Sequence, residues 1–184
     1  MLTLNFDPFP VITTERLVLR DIRATDAPHY FVLRSDPAIM KYIPRPVAKT
    51  VDDASAFITR IHTGFANKEN INWAITMKGE DRLIGTIGYV RMKPEHFRAE
   101  MGCMLRNDLQ GKGIMQEAIT AIINFGFDEM KLNSIEALID PDNKSSEKIL
   151  KKNKFVQEAF FKENEFYEGK FLDTIVYTLL AKNR

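Results

Sequence analysis

The residues with the clearest chemical potential lie in the stretch QGKGIMQEAI, Gln110 to Ile119. A strand-like segment ends just before it, and a helical period begins within it. The first N–H groups of a helix have no intrahelical acceptor, and they carry the positive end of the helix dipole. Gly111 and Gly113 let a ligand approach that backbone with no Cβ in the way, and Lys112 adds a positive charge. This combination fits an anion, most naturally a phosphate. The same glycines also suit a plain tight turn, and taken alone the stretch leaves both readings open. Two common phosphate motifs are excluded. A P-loop needs a glycine, four spacers and then Gly-Lys-Ser/Thr, which occurs nowhere in the chain. The dinucleotide fingerprint needs a third glycine where Gln116 stands and an early parallel β-α-β unit, whereas this turn comes late.

The elements around the turn must position it. LVLRDI (Leu17 to Ile22) reads as a strand, and Thr25 is the expected N-cap of a helix running to about Arg34. Thr50 and Asp53 form a capping-box-like pair before a helix with Ala54, Phe57, Ile58 and Ile61 on one face. INWAITM alternates as a strand with Trp73 on its apolar face, KGEDR supplies a turn, and LIGTIGYVRM returns. In HFRAEMGCML the odd positions Phe97, Ala99, Met101, Cys103 and Leu105 form one face, while Arg98, Glu100, Gly102 and Met104 form the other. Cys103 therefore reads as a buried small hydrophobe. A helix follows over about Gly113 to Met130 with Asn133 as its stop. SIEALID is a strand, PDNKSSEKILKKN a short capped helix, and the remainder two strands with a turn near Glu168-Gly169. The fold class is α/β, with a mixed, mostly antiparallel sheet flanked by helices and strand–helix–strand units in the C-terminal half. One domain over residues 1–184 is expected.

Composition narrows the function. Lys and Arg number 26 against 25 Asp and Glu, so no global field favours nucleic acid or an anionic membrane, and neither is expected as a partner. A single cysteine, Cys103, excludes an intrachain disulfide and suits a reducing compartment. The start MLTLNFDPFPVITTERL lacks a basic region followed by an apolar run, so a cytoplasmic protein without a signal peptide is expected. His29, His62 and His96 are scattered, and no metal is expected.

With its surroundings, the glycine turn becomes specific. AEMGCMLRNDLQGKGIMQEA resembles the acetyl-CoA-binding segment of the GCN5-related N-acetyltransferases (GNAT), and in particular the RimJ/RimL-type branch that acetylates ribosomal-protein N-termini. The superfamily pattern of Gln or Arg, two residues, Gly, one residue, then Gly or Ala is met by Gln110 and Gly113 and departs at Met115. TTERLVLRDIRATDAPHYFVLRSDPAIMKYI, LIGTIGYV, DPDNKSSEKILKKNKF and YEGKFLDTIVYTLL are similar to other parts of the branch, so the resemblance covers nearly the whole chain. Lys154 departs where a glycine usually precedes the Phe, which leaves open how the turn before the next strand is made.

The resemblance implies a GNAT fold and acetyl-CoA as co-substrate. The coenzyme pyrophosphate would lie on the amides of Gly111, Lys112, Gly113, Ile114 and Met115, next to Gln110. The pantetheine arm would pair like a strand with Cys103, Met104 and Leu105 and bond to Asn143. This requires the strand carrying Cys103 to splay from its neighbour. The implied reaction is direct attack of a primary amine on the acetyl thioester, with a backbone N–H near Met104 as oxyanion donor. Glu100 is the candidate base, as the only acid in the strand before the turn; a solvated carboxylate or a salt bridge with Arg98 is the plainer reading. Ser146 is the candidate acid for the leaving thiolate, and Ser146 and Asn143 equally suit the first turn and cap of a helix. Lys151, Lys152 and Lys154 read as a solvated helix end, with contact to the coenzyme 3′-phosphate as the sharper alternative. Asp173 is read as structural. The acceptor implied by the branch is a protein N-terminal α-amine. A small amine such as a polyamine, amino acid or antibiotic, and a non-catalytic acyl-CoA-binding module, are the alternatives. The branch often pairs, so a homodimer stays open. The acceptor's surroundings are expected in the loops before Trp73 and the hairpin after Phe160.

Overall fold

The computed structural model describes Leu2, Leu4 and residues 6–184; Met1, Thr3 and Asn5 of the N-terminal stretch discussed above lie outside the described residues. The strands are β1 (Ile12–Thr13), β2 (Leu17–Asp21), β3 (Ile71–Met77), β4 (Gly85–Lys93), β5 (Arg98–Leu105), β6 (Ser134–Ile139), β7 (Val156–Tyr167) and β8 (Lys170–Leu180). They form one sheet in the order β1-β2-β3-β4-β5-β6-β8-β7. Every neighbouring pair is antiparallel except β5 and β6. The helices are α1 (Ala27–Ser35), α2 (Pro37–Met40), α3 (Val51–Ala66), α4 (Ile114–Asn124) and α5 (Lys144–Lys152). The expected mixed, mostly antiparallel sheet flanked by helices is therefore present. α4 carries the chain from β5 to the adjacent parallel strand β6. α5 leads from β6 to β7, and β8 inserts between those two.

Helices cover both faces of the sheet centre. Ile71, Trp73 and Ile75 of β3 pack in the same cluster as Ala118, Ile119 and Ile122 of α4. Ala74, on the opposite face, packs with Leu33 of α1 and Ala54 and Ile58 of α3. A strand buried on both sides cannot alternate apolar with charged residues, which explains why the positions between the large side chains of β3 include Ala74 and Thr76. Trp73 is fully buried, as expected, and its indole N–H donates to the Pro10 carbonyl at 2.7 Å.

The capping box of α3 forms as the sequence indicates. The Thr50 hydroxyl accepts from the Asp53 N–H at 3.2 Å, and the Asp53 carboxylate accepts from the Thr50 N–H at 3.0 Å. Two other boundary expectations are corrected. Thr25 caps nothing and sits inside a short 3₁₀ turn, Ala24–Asp26. Asp26 organises this corner instead, because a carboxylate has enough acceptor sites to take the Arg23 N–H at 2.8 Å and both terminal nitrogens of Arg20, at 2.8 and 2.9 Å. Nor does Asn133 stop the helix after the glycine turn. Lys131 does, with a left-handed φ of 59°, and the Leu132 N–H then closes onto the Gly126 carbonyl at 2.9 Å. At the end of α5, Lys154 takes the left-handed conformation (φ 64°) at the position where a glycine was expected. The Phe155 N–H returns to the Leu150 carbonyl at 3.1 Å, so the turn is made without the glycine. Asp173 is structural here, accepting the N–H of Glu163 (φ 51°) at an irregularity of β7.

The helix over Ile114 to Glu129 changes character midway. Phe125–Glu129 is a π turn. The Tyr89 hydroxyl donates to the Ile122 carbonyl at 2.7 Å, competing for an acceptor that a continued α-helix would use. Gly126 makes room for it, since a Cβ there would sit 2.0 Å from the phenol oxygen. Gly126→Ala is therefore expected to destabilise the fold by about 1–3 kcal/mol through overpacking. Urea unfolding checks this, and wild-type stability would contradict the placement of Tyr89.

Candidate functional site

The site begins where strand pairing ends. β5 and β6 pair through only three residue couples, Arg98↔Ser134, Ala99↔Ile135 and Glu100↔Glu136. Beyond them β5 continues to Leu105 beside β4, while β6 continues to Ile139 beside β8. The two strands thus diverge into a wedge with Glu100 at its apex. β4 carries an irregularity between Tyr89 and Arg91, opposite Met101 and Glu100. Such a bulge bends and twists the strand pair locally. Gly102 faces it, and a Cβ on Gly102 would come within 2.9 Å of the Val90 side chain.

The backbone at the open edge is available for pairing. The Arg106 N–H donates to the Ile84 carbonyl across the β4 side at 3.1 Å. In an antiparallel ladder such bonds fall on alternate residues, so the N–H and C=O groups of Cys103 and Leu105 point into the wedge. Met104, between them, points its backbone to β4. The Cys103 side chain is exposed, which corrects the expectation that it is buried with the rest of its face. The divergence of β6 removes the neighbour that would have covered it. Protein packed on its inner side still pushes the Cys103 thiol up to about 11, so it stays protonated at neutral pH.

After β5 a 3₁₀ turn, Asn107–Leu109, leads to Gln110 and then to two left-handed glycines, Gly111 (φ 74°) and Gly113 (φ 77°). Gly113 is the N-cap of α4 and offers no side-chain cap, so the amides of its first turn remain open. Nothing lies within 4 Å of a Cβ position on Gly111. The Gln110 side chain folds back on the turn, donating to the Asn107 side chain at 3.0 Å and to the Leu105 carbonyl at 3.4 Å, so of the Leu105 edge groups the N–H is the one left open. Gln110, Gly111, Lys112 and Gly113 are exposed, Ile114 is buried and Met115 is half-buried.

Two ties fix this turn, and sequence reasoning missed both. Glu117 accepts from the Thr14 hydroxyl at 2.6 Å, the Arg16 N–H at 2.8 Å and the Arg16 side chain at 2.6 Å. Arg16 also donates to the Lys112 carbonyl at 3.1 Å. Burial acts against the Glu117 carboxylate, but these donors outweigh it and hold its pKa below the usual range. The second tie is a reciprocal amide pair, Gln116 with Asn153, at 2.8 and 3.2 Å. It locks the start of α4 to the end of α5. Both partners are long-range in sequence, and only an acid in the first helical turn hinted at either.

The far wall of the wedge is the end of β6 and the start of α5. Asn143 caps α5, its side-chain oxygen accepting from the Ser146 N–H at 3.1 Å and the Ser145 hydroxyl at 2.9 Å. Ser146 is half-buried in the first turn. Lys151 is paired with Glu147 at 2.6 Å, while Lys152 and Lys154 are exposed.

Glu100 is held differently from the expectation. Its salt bridge is to Arg91, at 3.0 Å, and not to Arg98. Arg98 instead pairs with Glu136, which is buried and also lies 3.4 Å from Lys93. The bulge in β4 brings Arg91 opposite Glu100 and so offers it the nearer cation. Desolvation raises the Glu100 pKa, Arg91 opposes this, and the neighbouring Glu136 adds to the rise. The chain thus places a perturbed carboxylate at the apex, unpaired strand amides along one wall, a helix N-terminus at the mouth and a capped serine across from it. Among the described residues no group of three or more His, Cys, Asp or Glu could hold a metal ion, and no helix is long and apolar enough to cross a membrane.

Because the folded pKa of Glu117 is lowered, its contribution to stability is complete above the unfolded carboxylate range and lost as pH falls through the folded value. Wild type should therefore lose stability relative to Glu117→Gln as pH is lowered from 6 toward 3. Parallel pH–stability curves for the two proteins would contradict the tie.

A family model described as an acetyltransferase (GNAT) domain matches residues 16–156. An uncharacterised N-acetyltransferase of Bacillus subtilis, YnaD, is 34% identical over 171 residues, covering 93% of this chain and 97% of that protein. A ribosomal-protein-serine acetyltransferase of Escherichia coli is 32% identical over 105 residues, 57% of this chain and 59% of that protein. The crystal structure of a GNAT-family acetyltransferase from Bacillus anthracis superposes with a TM-score of 0.84 at 29% identity, covering 94% of this chain and 99% of that one.

Proposed function

This chain belongs to the GNAT family of acetyl-CoA-dependent acetyltransferases, and from that premise we propose that it acts as a single unit on a protein N-terminal α-amine. The wedge carries this reading. The residues present suit the coenzyme: open first-turn amides and bare glycines at Gly111 to Met115 fit a pyrophosphate, and the free edge at Cys103 and Leu105 fits an amide-bearing arm that pairs like a strand. Gln110 holds the turn, and the unshared amide N–H groups of Asn143 can donate to the arm. The similarity to a ribosomal-protein-serine acetyltransferase supports a peptide amine as acceptor. The wedge is open along one side, which suits an extended peptide.

Bound acetyl-CoA supplies an activated acetyl thioester. Glu100 takes the proton of the incoming ammonium, directly or through water. Its raised pKa brings it closer to neutrality, where a general base works best. The N–H groups of Cys103 and Leu105 are the donors nearest Met104 for the oxygen that becomes negative in acyl transfer. Ser146 gives a proton to the departing sulfur. The lone cysteine suits a reducing cytoplasm.

Acetyl-CoA at about 100 times its Kd should stabilise the protein by roughly 2.7 kcal/mol in thermal or denaturant melts, and no shift would remove the coenzyme site. Glu100→Gln and Ser146→Ala should each lower kcat by about 10²-fold or more, the low end for acid–base groups, while coenzyme affinity holds. Unchanged turnover in both would remove these roles, as read by thiol release with N-terminal peptides. Gly113→Asp puts a negative side chain at the phosphate seat and forces it into a left-handed φ. Coenzyme affinity should fall at least about tenfold, and wild-type affinity by calorimetry would contradict the cradle.

A further inference from the structure

A second concentration of charge lies outside the groups used above. Arg34, at the end of α1, is 5% exposed, yet no carboxylate pairs with it among the described residues. One terminal nitrogen donates to the Pro46 carbonyl at 2.9 Å, and its Nε is buried without a partner. A guanidinium taken out of water in this way is costly unless something anionic meets it. Its neighbours are also cationic. Arg34 and Arg60 both lie over the Phe57 ring, at 4.1 and 4.2 Å from its centroid. Pro46, Phe57, Arg60, Arg45 and Lys49 line one cleft of about 370 Å³ between the α2–α3 loop and α3. Its one acid, Asp53, is already engaged by the N–H groups of Lys49 and Thr50 at 2.8 and 3.0 Å. The cleft therefore carries a surplus of positive charge, and Arg34, which does not line it, touches two of its lining residues, Phe57 and Pro46.

Phe57, which lines the cleft, packs against the same apolar cluster as Met104 of β5, and Met104 shares its strand face with Glu100. The Arg45 side chain pairs with Glu165 of β7 at 3.1 Å. That pairing brings the α2–α3 loop against the C-terminal hairpin. A molecule whose amine faces Glu100 can thus place a second group among the arginines.

We propose that Arg45 and Arg60, backed by the buried Arg34 behind Phe57 and Pro46, form a specificity seat for a carboxylate carried by the acceptor, so that the preferred substrate is a peptide with Asp or Glu a few residues behind its free N-terminal amine. This rests on the peptide-amine reading above. Guanidinium groups meet a carboxylate with paired, charge-assisted hydrogen bonds, and a neutral or basic side chain would leave Arg60 and the buried Arg34 behind it without a neighbouring anion.

The test uses the full chain and amidated hexapeptides with a free N-terminal serine and a single Asp scanned through positions two to five, each matched by Asn. At least one Asp position should raise kcat/KM about tenfold over its Asn partner, the size of one charge-assisted hydrogen bond. Arg45→Gln and Arg60→Gln alter exposed side chains and should each cut that preference to about twofold or less. Arg34→Gln should do the same if its melting curve shows it folded. Absence of any Asp preference, or a preference unchanged in both exposed variants, overturns the seat. Binding of the N-acetylated products, followed by fluorescence anisotropy, separates the two readings. If no free-amine peptide turns over but an acetylated Asp peptide still binds more tightly than its Asn partner, and loses this in Arg60→Gln, the peptide-amine reading falls and the seat stands.

Discussion

Beyond Glu100 the edge of β5 has no strand to bond with, and the chain cannot leave a row of buried amides and carbonyls unmet without a large cost. The sheet accepts that cost at the one place where parallel pairing gives out after three residues. Water or a strand-like ligand must then satisfy the groups of Cys103 and the N–H of Leu105, whose carbonyl accepts from the Gln110 side chain at 3.4 Å. The other features of the site follow from this divergence. It puts Glu100 at an apex rather than mid-strand, uncovers Cys103, and aims the start of α4 at the opening. A turn built from Gly111 and Gly113 would be of little use beside a closed sheet, where no ligand could reach its amides.

A wedge works only if its walls do not collapse. The β4 bulge sets the twist on one side, and Gly102 leaves space for Val90 against it. Glu117 ties the first turn of α4 to the segment before β2, and Gln116 with Asn153 ties it to the end of α5. Deeper in, Tyr89 enters the helix at the π turn and packs it onto β4. The Glu117, Gln116 and Tyr89 contacts join elements far apart in sequence, so the opening is held by tertiary structure rather than by the local preferences of the turn. The charged pairs at the apex, Arg91 with Glu100 and Arg98 with Glu136, fix two neighbouring carboxylates in distinct environments. Glu100 stays half-buried and perturbed, while Glu136 is buried between Arg98 and Lys93.

Much of this was legible in the residue pattern. Period-two alternation located β3 and β5, the Thr50–Asp53 pair marked the start of α3, and the Gln-x-x-Gly turn with its flanking strand pointed to the family. The failures share a cause. Thr25 lost its cap role to Asp26 because a buried Arg20 rewards a carboxylate over a hydroxyl. Cys103 was misplaced because alternation gives the face of a strand but not whether the neighbouring strand is there to cover it. The plainer alternative of an Arg98–Glu100 pair rested on their shared face, whereas the bulge in β4 and the register with β6 decide the pairing. Arg34 sits in an ordinary helix position in the sequence, and nothing short of the folded α2–α3 loop reveals that it is buried with no carboxylate partner among the described residues.

The central claim is that the open edge of β5 and the start of α4 together bind the coenzyme. Residue-resolved amide hydrogen exchange with and without coenzyme A tests it most directly, because it reads those backbone groups themselves. Slowed exchange at Cys103 and Leu105 and across Gly111 to Met115, with little change at the β4-bonded Met104, is the predicted result. Unchanged exchange along both segments at saturating coenzyme, or protection confined to another surface, would contradict it.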